Sequence, residues 1–343
     1  MMRQTLRKDS CLSDIFKLLT DLPEYAEIPV RHNEDIINGN LSKNCPIKLE
    51  EGTMGSSHTK THLLYQIHFG RLILPSTDYG TDLKSVLDQA VRIIQAMLDV
   101  CADQGWLNTA LGVVSLLQMV MQARWTYDPP LSTLPHIQPN SARMFKPIDS
   151  IPELQAKYAE QPDFILRRAH SVLDPTQVSD IESTLLKLPS IRLNRLTVEG
   201  WWKGSQTASS KPISLTQTGP REGWMTVEAD QDYLIKIDLE RLNKKSDSRA
   251  VCPKFPKVKD ECWFALLGVA ETGELVALKR VGFIRRRSTV SLQLRTSVNA
   301  GRVIYSFYLL SDSYLGLDQE YQLKLELQPA DIESQVNSEV QLD

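Results

Sequence analysis

The chain has 343 residues, 42% of them hydrophobic and 24% charged, with a formal net charge of −3 and a sequence pI near 6.1. That length is enough for two or three domains with a sizeable core, and the mild acidity excludes a surface that is cationic throughout, so any contact with nucleic acid or membrane has to be local. No apolar run reaches the ~18 residues of a membrane span, the N-terminal MMRQTLRKDSCLSDIFKLL lacks the continuous apolar stretch of a secretory leader, and Cys11, Cys45, Cys101, Cys252 and Cys262 are odd in number without a CxxC pair, the usage of reduced thiols in nucleus or cytoplasm.

Residues 1 to about 190 read as helical. The stretch SSHTKTHLLYQIHFGR, 56–71, holds three of the six histidines. His58 and His62 stand at the i, i+4 spacing that zinc hydrolases use, but Thr59 occupies the place where the general-base glutamate would follow the first histidine. His68 lies about 80° around the helix axis from His58, which makes it no third ligand. The segment therefore predicts a packing helix with Leu63, Leu64, Ile67 and His68 turned inward, and no metal.

In LKSVLDQAVRIIQAMLDVCADQG, 83–105, Leu83, Leu87, Ala90, Val91, Ile94, Met97, Leu98 and Cys101 recur at three- and four-residue intervals, which predicts an amphipathic helix stopped at Gly105. Its polar face carries Lys84, Asp88, Arg92, Gln95, Asp99 and Asp103, two bases against three acids. Arg92 at the centre of that face is a candidate contact for a nucleic-acid backbone, although Asp88 one turn earlier offers it an ion pair. WLNTALGVVSLLQMVMQARW, 106–125, is apolar on nearly all sides and predicts a central helix. The prolines of YDPPLSTLPHIQP, 127–139, predict a loop. In LDPTQVSDIESTLLKLP, Asp174, Pro175 and Gln177 form an N-cap, a first-turn proline and a capping-box glutamine; with the preceding DFILRRAHSVL they predict a helix–loop–helix.

After Pro189 the period changes to two. YLIKIDLE (233–240), VSLQL (290–294) and YQLKLEL (321–327) alternate, WFALLGV and LVALKRVGFI are joined by AETGE, and GRVIYSFYLL supplies another strand. Seven or so strands in ~140 residues predict an immunoglobulin-like sandwich. The fold class is therefore α+β multidomain, with a helical bundle at 1–150, a helix–loop–helix at 151–190 and an immunoglobulin-like, fibronectin III-like sandwich at 191–343.

Nucleotide and hydrolase chemistry is missing from this pattern. There is no GxxxxGK[ST] loop, no GxGxxG after a strand, no DExH-type stretch and no GxSxG elbow, so no catalytic residue, cofactor or ATPase activity is expected. The ArgArgArg run at 285–287 offers either a phosphate patch or a solvated strand edge or turn that discourages edge pairing, the second being the expected reading. SDSYLGLDQEY, 311–321, reads as a loop holding a corner through side-chain hydrogen bonds.

IPVRHNEDIINGNLSKNCP (28–46), HTKTHLLYQIHFGRLILP (58–75), the DQA…QAMLDV…GWL run (88–107), FPKVKDECWFALLG (255–268) with LVALKRV, and SDSYLGLDQEY together resemble the Sec-sixty-three homology unit of the Ski-two-like DExH-box helicases, in order from about residue 14 to 340. The resemblance implies a bundle, a helix–loop–helix and an immunoglobulin-like domain that close a helicase cassette. It implies that the 83–105 helix lies along a nucleic-acid channel with Arg92 and Gln95 facing the strand, and that no metal sits at the histidines. It further implies partners among helicase motor domains or other helicase-complex subunits; the negative net charge and the acid-rich 83–105 face hold single-stranded nucleic-acid binding to weak and salt-sensitive, and no membrane partner is expected. The role expected is a non-catalytic accessory or regulatory module, the alternative being a stand-alone interaction adaptor that does not touch nucleic acid. Purified chain is accordingly expected to turn over no ATP above a boiled control, and turnover that survives repurification would contradict the motif reading.

Overall fold

The computed structural model describes residues 5–200, 212–213, 223–243 and 247–329; parts of the expected third domain, among them 330–343, lie outside the described residues. The protein is α+β, with eight α-helices followed by nine strands in two sheets among the described residues. The first five helices are α1 (Leu12–Thr20), α2 (Glu34–Asn44), α3 (Ser57–Gly70), α4 (Thr77–Gln104) and α5 (Leu107–Gln122).

Helix α4 starts six residues before the period predicts. Ser76 accepts a hydrogen bond from the Tyr79 amide at 3.4 Å, and Tyr79 and Asp82 are buried. The opening Thr77–Asp82 contains Gly80 and weak helix formers, so local propensity hides a turn that burial and the cap stabilise. Gly105, at φ +69°, ends the helix as expected. Its amide reaches Ala102 O at 3.4 Å and the Trp106 amide reaches Cys101 O at 2.9 Å, the double bond of a glycine-terminated helix. The chain then reverses at once into α5, which stops at Gln122 with Ala123 at φ +50°. Ile15, Phe16, Leu64, Phe69, Ile94, Met97, Val113 and Leu117 belong to one buried core.

Three shorter helices follow: α6 (Ile151–Glu160), α7 (Phe164–Ala169) and α8 (Pro175–Lys187). The capping box at α8 forms as its residues predict. Asp174 Oδ1 accepts from the Gln177 amide at 2.9 Å, and Gln177 Oε1 accepts from the Asp174 amide at 3.1 Å.

The strands are β1 (Ile191–Gly200), β2 (Pro212–Ile213), β3 (Met225–Glu228), β4 (Asp232–Arg241), β5 (Trp263–Val269), β6 (Glu274–Val281), β7 (Arg287–Arg295), β8 (Gly301–Ser311) and β9 (Gln319–Gln328). One sheet runs β2-β1-β4-β7 and the other β3-β9-β8-β5-β6; all pairings are antiparallel except β3 with β9. Alternation places Ile235, Ile237, Val290 and Leu292 of the first sheet in one core with Trp263, Ala265, Phe307 and Leu309 of the second. Leu131, Phe145, Ile151, Leu154, Ile165, Ile181 and Leu185 extend that core.

The other face of β5 and β8 is covered too. Phe264, Leu266, Tyr308 and Leu310 pack into the helical core of α1, α3, α4 and α5, so the five-stranded sheet is a wall shared by two cores. Backbone hydrogen bonds fix the register across the seam: the Leu107 amide donates to Gly273 O at 3.0 Å and the Leu275 amide donates to Gly105 O at 2.9 Å. At Gly268 the approach leaves no room for a side chain, because a Cβ there would stand 2.6 Å from Glu274 O and 2.8 Å from a methyl of Leu107. Gly268→Ala is expected to cost about 1–3 kcal/mol of unfolding free energy, since a backbone oxygen cannot move aside cheaply. Exposed Gly282, which has nothing within 4 Å of such a Cβ, is the matched position whose alanine variant is expected to stay within about 0.5 kcal/mol in the same denaturation series.

Candidate functional site

The histidines of α3 are committed to packing. His58 Nδ1 lies 2.9 Å from Thr20 O. His62 Nδ1 accepts from Gln66 Nε2 at 3.1 Å, with its ring 4.4 Å from that of Phe16. His68 Nε2 donates to Val120 O at 2.8 Å. Burial holds both His62 and His68 down to about 4, because a charged imidazole away from water lacks solvation.

Sequence reading missed the group beside them. Lys60 is fully buried, with Nζ 2.5 Å from Glu34 Oε2, 2.7 Å from Asp82 Oδ2 and 2.7 Å from Pro29 O. Arg31 Nη1 donates to Asp82 at 2.7 Å and to Glu34 at 3.0 Å, and the ammonium stands 4.5 Å from the Tyr79 ring centre. Burial pushes both carboxyls up, but hydrogen bonds from Lys60 and Arg31 outweigh it and hold each below its ordinary value. Two cations and two carboxylates close a neutral cluster that ties the segment before α2 to α2, α3 and α4, a structural arrangement and no catalytic one. Residues so far apart in sequence leave no periodic signal.

The corner loop is held as its residues predict. Ser311 Oγ accepts from the Ser313 and Tyr314 amides at 3.1 and 3.0 Å, Tyr314 Oη accepts from the Val251 amide at 2.7 Å, and Asp312 accepts from the Cys262 amide at 3.0 Å and pairs with Lys259. Three polar side chains at the end of α5 grip the same loop. Gln118 Nε2 donates to Ser311 O at 2.7 Å and to Asp318 at 2.9 Å; Gln122 Nε2 donates to Ser313 O at 2.6 Å; Arg124 Nη2 donates to Leu315 O at 3.0 Å. Burial raises the Asp318 carboxyl to about 6 against the opposing bonds from Gln118 and the Ser311 amide.

Of the ArgArgArg run, Arg287 opens β7 and pairs with Glu240 at 3.2 Å, a carboxylate that also meets Arg192 at 2.8 Å. Arg285 and Arg286 are exposed. The run is thus a solvated strand end, as its composition predicts.

The outward stripe of α4 remains. Arg92 is exposed at its centre and Gln95, one turn on, is half-buried; no hydrogen bond or salt bridge joins either side chain to another described residue. The expected pairing of Arg92 with Asp88 does not form. Asp88 Oδ2 instead meets Lys257 Nζ at 3.1 Å, and Asp99 meets Arg280 Nη2 at 2.7 Å. Both cations come from the strand-bearing half of the chain, because the shared sheet wall brings β6 and the loop before β5 against α4. The i, i+4 rule treats a helix in isolation, and here tertiary partners took the acids first.

The family profile described as the Sec63 Brl domain matches residues 1–324. The chain is 40% identical, over 363 aligned residues, to "Activating signal cointegrator 1 complex subunit 3" of Gallus gallus, covering 99% of this chain and 16% of that protein. It is 34% identical to "DExH-box ATP-dependent RNA helicase DExH14" of Arabidopsis thaliana, with 94% of this chain and 14% of that protein covered. It is 28% identical to "U5 small nuclear ribonucleoprotein 200 kDa helicase" of Mus musculus, with 93% and 14% covered. The chain therefore spans about one sixth of the length of the curated relatives it matches.

The buried titratable groups set opposing pH dependences. The folded-state histidines near 4 lie below the ordinary 6.5, so the unfolded chain takes up protons first and stability falls as pH drops below 6.5, by about 2 kcal/mol per histidine at pH 5. Asp318, near 6 against 3.8, acts the other way: the folded state binds its proton first and recovers roughly 1 kcal/mol between pH 7 and 5. The expected result is a net loss of stability on acidification. His68→Gln, compared with its own value at pH 7, is expected to reduce that loss by about 2 kcal/mol in denaturant titrations.

Proposed function

Because the chain belongs to the Sec63 Brl domain family, we propose that it is a non-catalytic accessory module of a nucleic-acid helicase, which completes or regulates a helicase cassette and docks protein partners. The family is a non-motor part of helicases, and the names of the relatives point to helicase motor domains or other subunits of a helicase complex as partners, in nucleus, cytoplasm or both. In this reading residues 1–150 form the helical bundle and 191–343 the immunoglobulin-like sandwich, and within 151–190 α7 and α8 form the helix–loop–helix after the additional helix α6.

One observation carries the nucleic-acid part of the proposal. Helix α4 is 28 residues long and packed along one side into the helical core, while its outward stripe presents Arg92 and Gln95, neither side chain joined by a hydrogen bond or salt bridge to another described residue. A rigid rod with an uncommitted guanidinium at mid-length is suited to a phosphate contact. No aromatic residue lies on that stripe, so the contact reads backbone and carries no base preference. Single-strand binding by the isolated chain is expected to be weak and to collapse between low and physiological salt.

Arg92→Ala is expected to change stability by no more than about 0.5 kcal/mol, as befits an exposed helix position. The same variant should weaken binding of single-stranded RNA equally across sequences and reduce the salt slope by roughly one unit. Fluorescence anisotropy at several salt concentrations measures both, and a curve that matches wild type would remove Arg92 from the proposal.

A further inference from the structure

We propose that the strand-contacting surface of α4 is a composite track, in which Lys257 and Arg280, delivered by the strand-bearing half of the chain, flank Arg92 and hold phosphates on either side of it. This rests on the helicase-module reading above and adds two residues outside the bundle to its nucleic-acid surface.

The three cations line up along one helix. Lys257 stands at the level of Asp88 and Arg280 at the level of Asp99, a separation of about 16 Å at the rise of an α-helix, with Arg92 between them. Both delivered side chains stay accessible, Lys257 at 59% and Arg280 at 48% exposure. An ammonium has three donors and a guanidinium five, so one contact with a carboxylate leaves donors uncommitted in each.

The pairing also changes the sign of the surface. Two bases and three acids make the α4 stripe one unit negative on its own, a charge that repels a polyanion. With Lys257 and Arg280 on Asp88 and Asp99 it becomes one unit positive. The acids act as anchors that hold long cationic side chains along the helix while being neutralised themselves. The Arg280–Asp99 pair is exposed on both sides and contributes little to stability, so exchanging its carboxylate for a phosphate costs little; Asp88 is largely covered, at 29% exposure, so Lys257 keeps that contact and meets a phosphate with its remaining donors. Gln95 lies on the same stripe between Arg92 and Asp99, an amide donor of the kind that sugar–phosphate contacts use beside charge.

The experiment uses the full 343-residue chain and a labelled mixed-sequence single-stranded RNA about ten nucleotides long, with binding followed between about 50 and 200 mM salt. Lys257→Ala and Arg280→Ala are each expected to weaken binding and lower the salt slope by about 0.7. Asp99→Asn is expected to weaken binding less than Arg280→Ala does, because Arg280 keeps its charge and loses only the carboxylate that holds it along the helix. If the pairs only brace the fold, the two cation variants bind like wild type while Arg92→Ala weakens binding; that outcome overturns the composite track and leaves the helicase-module reading standing. Loss of the RNA signal altogether, with wild type and Arg92→Ala alike failing to bind at the lowest salt, would defeat the nucleic-acid reading itself. A polyglutamate peptide that binds with the same dependence on Lys257 and Arg280 where RNA does not would assign the surface to an acidic protein segment and overturn the proposal.

Discussion

Strands β5 and β8 have no solvent face over most of their length, and the rest of the molecule is arranged around that fact. Trp263, Ala265, Leu267, Phe307 and Leu309 point into the core between the sheets, while Phe264, Leu266, Tyr308 and Leu310 point into the helices. Each large apolar side chain so covered contributes roughly 1.5–3 kcal/mol, and removing either neighbour would expose a whole row of them. WFALLGV carries the signature in its sequence, since a strand buried on both sides reads as a continuous apolar run. The wall sets where α4 and α5 lie, and therefore which polar side chains of the strand-bearing half reach α4.

Apolar burial alone does not choose one register for α5 on that wall; buried polar groups do. Gln118, Gln122 and Arg124 are nearly inaccessible, and each donates to a carbonyl or carboxylate of the loop after β8. Sliding α5 by one turn would leave these donors and their acceptors unpaired away from water, at about 1–3 kcal/mol for each group. Lys60 acts in the same way among α2, α3 and α4, where losing any one of its partners strands a charge. The helices are thus held by dispersion and hydrophobic burial, and located by a small number of directional bonds.

Local signals in the sequence were legible because their causes are local. The capping box at Asp174 and Gln177, the left-handed Gly105, the alternation of β4 and β7 and the side-chain bonds of the corner loop all depend on residues a few positions apart, and the structure forms each of them. The first turn of α4 was hidden, since its stability comes from burying Tyr79 and Asp82 against other helices. The Lys60 cluster and the pairing of Asp88 with Lys257 were hidden for the same reason. A charge at a helical spacing announces its neighbours on that helix and nothing of a lysine far along the chain that packing brings to the same place.

That distinction separates the two kinds of charge in this protein. Lys60 with Glu34 and Asp82, and the Arg241–Glu261 pair, are sealed from solvent, where exchanging a partner for an outside anion would require opening the core. The Asp99–Arg280 pair on α4 sits at the surface, screened by salt and worth little to folding. A helix whose inner side is fixed by a shared sheet and whose outer side carries an exchangeable ion pair can trade partners without moving its backbone. A contact made there would cost little conformational entropy, because the rod is already ordered.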